Sequence, residues 1–72
     1  MRRRRQENDF NLSLHYITEA EARVSRQEQL IVQLKKNGKP TGQAEGALKE
    51  YEGSLLQLRN HLVIMQALMK PD

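Results

Sequence analysis

The stretch KKNGKPTG, residues 35–42, decides the fold. Lys35 and Lys36 are cations of the kind favoured in a last helical turn, where unpaired carbonyls form the negative end of the helix dipole. Asn37-Gly38 then stops a helix, with Gly38 the natural left-handed residue just past its end. Pro40 blocks helix continuation, and Thr41 can cap a new helix. Residues 37–41 are therefore read as a loop between a helix ending at 36 and one beginning at 42.

Both flanks of this loop carry the same rhythm. On the N-terminal side, Phe10, Ser13, Ile17, Ala20, Val24, Gln27, Ile31 and Leu34 recur in alternating steps of three and four, the spacing of a heptad seam. Ser13 and Gln27 are its polar exceptions, and Leu14, Tyr16 and Leu30 widen it. On the C-terminal side the seam is Ala44, Leu48, Tyr51, Leu55, Leu58, Leu62, Met65 and Met69. Strands would need a period of two, which neither half shows. Asn8 or Asp9 can cap the first helix, and Pro71 ends the second. The expectation is an all-α chain: a basic flexible arm at 1–8 and an antiparallel helical hairpin over 9–70, with helix 9–36, loop 37–41 and helix 42–70. Two helices of near-equal length joined by a short loop pack antiparallel, and facing positions then have numbers adding to about 78. Val24 meets Leu55, Ala20 meets Leu58, Ile17 meets Leu62, and Ser13 and Leu14 meet Met65. Glu19–Arg23 and Glu45–Lys49 are correctly ordered i,i+4 pairs on exposed faces.

Such a hairpin leaves apolar groups over. In HLVIMQALM, residues 61–69, seven of nine residues are Leu, Val, Ile, Met or Ala. Leu62, Met65 and Met69 belong to the seam, whereas Leu56, Val63, Ile64 and Leu68 lie off it. A chain of 72 residues without cysteine has no disulfide to strengthen it, and one core of this size seldom supplies more than about 3–5 kcal/mol. Association is the remaining common remedy. The expectation is a homodimer forming a four-helix bundle. Its interface would use Leu55, Leu56, Leu58, Leu62, Val63, Ile64, Met65, Leu68 and Met69, with Ile17, Val24 and Ile31 from the first helix.

Charge is concentrated in one place. Arg2, Arg3, Arg4 and Arg5 are four of twelve basic residues, so the other eight face nine acidic ones and the body is near neutral. The run could contact phosphates through counterion release, which makes nucleic acid or an anionic membrane surface the alternative partner. Against this, no aromatic is interleaved to stack on bases, and no later helix has a basic face. The alternative to any contact is a solvated tail. QENDFN follows the run in place of an apolar segment, so no secretory leader is read. No stretch reaches the roughly 20 apolar residues of a membrane span, and a cytoplasmic location is expected.

Chemistry has little support. His15 and Glu19 are spaced i,i+4 and could reach one metal ion, with His61 the other imidazole. No thiolate supports such a site, and the two histidines are read as seam-edge residues, so no metal or cofactor is expected. No nucleophile–base pair, phosphate loop or inward carboxylate pair is recognisable, so the chain is read as non-enzymatic.

His15, Glu21, Val24, Arg26, Leu30, Ile31, Leu34, Gly38, Thr41, Ala44, Leu48 and His61 form a pattern. It resembles that of short uncharacterised helical proteins common in rhizobia and related alphaproteobacteria. The likeness covers about residues 15–62 and departs from the pattern at Pro40. It implies the hairpin and brings no activity with it, though it draws notice to His15 and His61. The expected function is protein–protein interaction or scaffolding through self-association, with an unidentified protein partner as a further option.

Overall fold

The structure, a computed structural model, describes the backbone of residues 2–69 and the side chains of residues 9–68. The described residues form two helices, α1 over Arg2–Lys36 and α2 over Gly42–Met69, which pack antiparallel. Among the described residues there is no strand. The hairpin is a rod of 55 × 15 × 14 Å.

The loop is built as its residues require. Gly38 has φ of 66°, in the left-handed region where a side chain is strained. Its amide donates to the Lys35 carbonyl at 3.1 Å, and the Lys39 amide donates to the Leu34 carbonyl at 2.8 Å. These two bonds close a Schellman cap and satisfy carbonyls that the helix end would leave unpaired. Across the loop, the Thr41 carbonyl accepts the Glu45 amide at 2.8 Å and opens α2. Lys35 and Lys36 occupy the last turn of α1.

The start of α1 differs from the expected one. The helix begins at Arg2 and runs through Asn8 and Asp9 without a break. Arg, Gln and Glu are good helix formers, and no Gly or Pro interrupts residues 2–9. A residue that suits a cap stops nothing when the chain before it is equally helical. The extension makes α1 35 residues long against 28 in α2, so the first two turns of α1 overrun the end of its partner helix.

Packing follows the heptad seam. Every seam position of α1 from Phe10 to Leu34 is buried or half-buried, and so is every seam position of α2 from Ala44 to Met65. Ala47 and Thr41 add to the covered set near the loop. Cross-helix contacts fix the register. The Ser13 hydroxyl donates to Met65 Sδ at 3.3 Å, the pair the seam predicts. Nearer the loop the contacts lean by up to two turns. Gln27 Nε2 reaches the Ala44 carbonyl at 2.9 Å, and the Arg23 guanidinium lies 5.6 Å from the Tyr51 ring centroid.

The core is thin. Among the described residues, Ile17, Ile31 and Leu55 are the buried apolar ones, joined by the buried Ser13. Burying an aliphatic side chain of this size stabilises by about 1.5–3 kcal/mol. Two helices expose too much of each other's seam to do more.

Candidate association surface

Seam residues take heptad positions a and d, and the remaining positions divide the rod into two flanks. Side chains at g and c of both helices share one flank, and those at e and b share the other, because antiparallel helices place g beside g and e beside e.

The e/b flank is charged. Arg59 Nη2 donates to Glu21 Oε2 at 2.8 Å, both half exposed. Glu28, Lys35, Glu45 and Glu52 occupy further exposed e positions. Exposed ion pairs of this kind contribute at most about 1 kcal/mol. Leu14, Val32, Leu56 and Val63 are apolar residues exposed among these charges.

The g/c flank is different. Leu12, Tyr16, Leu30, Ile64 and Leu68 are its exposed large apolar residues, and Ala47, Ser54 and His61 are small or neutral neighbours on the same side. Between the helices it holds a groove of about 240 Å³ lined by Tyr16, Glu19, Ala20, Arg23, Ser54 and Leu58. Of its lining residues, Ala20 and Leu58 are half-buried seam positions, and Glu19 and Arg23 are exposed.

The residues expected at an interface fall into three groups. Ile17, Ile31 and Leu55 are buried within the single hairpin. Val24, Leu58, Leu62 and Met65 are half-buried in the seam, and only their outer edges remain. Leu56, Val63, Ile64 and Leu68 are well exposed, Leu68 to 77 % and Val63 to 61 %, and the side chain of Met69 lies outside the described residues. In α1, Leu12 and Val32 are also exposed and were not among the expected interface residues. Their signal was available, since both fall off the a and d positions.

His15 Nε2 lies 3.3 Å from Glu19 Oε1 with both side chains well exposed. His61 does not join them, and among the described residues no group of three His, Asp or Glu could hold a metal ion. No described helix is long and apolar enough to cross a membrane. The side chains of Arg2, Arg3, Arg4 and Arg5, the expected anion contacts, lie outside the described residues. Comparison with family models, curated proteins and solved structures finds no match to this chain.

Proposed function

We propose that the chain is a non-enzymatic helical module for protein–protein interaction or scaffolding in a bacterial cytoplasm, and that it works as a homo-oligomer, with two hairpins forming a four-helix bundle. One observation supports this above the others: among the described residues, three apolar side chains are buried while nine large ones are exposed. A compact monomer of 8.4 kDa has about 4,600 Å² of accessible surface. This chain has 6272 Å². Its radius of gyration is 16.6 Å, against about 11 Å for a compact domain of the same length. A soluble monomer seldom leaves that much apolar surface wet, and a second copy is the economical cover because every copy brings the same unmet surface.

Sedimentation equilibrium of the purified chain tests the proposal. A dimer at tens of micromolar is expected. A helical monomer at that concentration would overturn it. The resemblance to short alphaproteobacterial helical proteins accords with a bacterial module and contributes no chemistry.

A further inference from the structure

We propose that the second copy seats on the g/c flank in an antiparallel sense, α1 on the partner's α1 and α2 on the partner's α2, with the two loops at opposite ends; this rests on the self-association proposed above. The key feature is a second heptad row on α1. Leu12, Tyr16, Glu19, Arg23, Arg26 and Leu30 follow one another in steps of four and three. All six are exposed, and three of them line or edge the groove.

The row has matching chemistry read from either end. About a centre at residue 21, Leu12 is symmetric with Leu30, Tyr16 with Arg26, and Glu19 with Arg23. A two-fold interface has this form, because residue i meets j while j meets i. Two such helices run antiparallel about that centre set Leu12 on the partner's Leu30 and Tyr16 under the partner's Arg26, a cation–π geometry. At the middle, Glu19 meets the partner's Arg23, and its mirror image repeats the pair. A parallel arrangement through the same flank would lay α1 on the partner's α2 and set Glu19 and Arg23 against Gln57, His61 and Ser54, without an opposite charge for either.

The same two-fold suits α2. Residue 57 lies level with residue 21 in the hairpin register. Around it, Gln57 meets the partner's Gln57, and Ser54 lies within one residue of the level of the partner's His61, a hydroxyl beside an imidazole. Ala47 lies equally near the level of the partner's Leu68, small against large as interdigitating layers require. Glu50 opposite the partner's Ile64 is mismatched and offsets part of the gain. The helix levels of residues 2–5 approach the partner's loop, where Lys35, Lys36 and Lys39 stand. Screening over about 8 Å at physiological ionic strength limits that repulsion. A flank 55 Å long and 15 Å wide offers about 800 Å² per copy, the size of a standard specific interface.

A charge swap on the full chain tests the arrangement. Glu19→Arg and Arg23→Glu should each weaken the dimer about tenfold or more, and the double variant should recover most of the loss. Circular dichroism confirms that each variant keeps its helices. A nitroxide on Asn37→Cys gives the orientation: the loops should be about 50 Å apart along the rod. A dimer that ignores both single changes, a double variant that fails to recover, or a label separation near 20 Å overturns this arrangement and leaves self-association standing. Dissociation by Val63→Glu with none by Glu19→Arg would instead place the interface on the e/b flank. A wild-type chain that is monomeric overturns both proposals.

Discussion

Ser13 occupies a seam position where an aliphatic group would pack best. It is buried, and its hydroxyl donates 3.3 Å to the Met65 thioether, a weak acceptor. Burying a hydroxyl against so weak a partner costs more than it returns, and alanine is the better helix former. Ser13→Ala should therefore stabilise the hairpin by about 0.5–1 kcal/mol in urea unfolding. Ile31, only 7 % exposed, should behave oppositely. Ile31→Ala removes a large part of a thin core and should cost about 2–4 kcal/mol. Gln27 is a third case. Its amide reaches the Ala44 carbonyl at 2.9 Å, so a polar residue in the seam ties α1 to the first turn of α2. The sequence marks Gln27 as an exception and cannot name its acceptor, because a flexible amide can reach either way along the facing helix.

The helices owe their limits to backbone chemistry more than to side-chain pattern. Gly38→Ala should destabilise by about 1 kcal/mol, since φ of 66° suits glycine alone. Gly46 is the opposite case. It sits inside α2, and a Cβ there would meet nothing within 4 Å. Gly46→Ala should thus stabilise by about 0.5–1 kcal/mol, read as a rise in the thermal midpoint. The loop and both seams are legible in the sequence because Gly38, Pro40 and the three-four spacing each leave few local alternatives. The start of α1 is not, because capping at Asn8 or Asp9 and continuation through them have similar local cost. The groove is not legible either. It depends on Ala20 and Leu58 facing each other while Tyr16, Arg23 and Ser54 stand around them, which only the packed pair defines. The two flanks could have been told apart by heptad position, yet which one is free of cross-helix ion pairing needs the Arg59–Glu21 contact.

At the scale of the whole molecule, stability and assembly should be one equilibrium. If burial is completed only by a second copy, the melting temperature rises with protein concentration. Scans across a hundredfold range of concentration should show that dependence. Leu62→Glu should abolish it, since this half-buried seam residue serves the hairpin and the outer edge of the seam together. Glu52→Gln, on the charged flank, should leave it unchanged. The five-residue turn at 37–41 has a kinetic consequence as well. All contacts between α1 and α2 radiate from it, and the separation along the chain of facing residues grows steadily toward the open end. Closing the rungs nearest the turn costs the least chain entropy, so folding should zip from Leu34 and Ala44 outward. Amide hydrogen exchange of the native protein should then be graded along the rod, slowest around Ile31 and Leu48 and fastest around Phe10 and Met69, where the last rungs close and the first ones open.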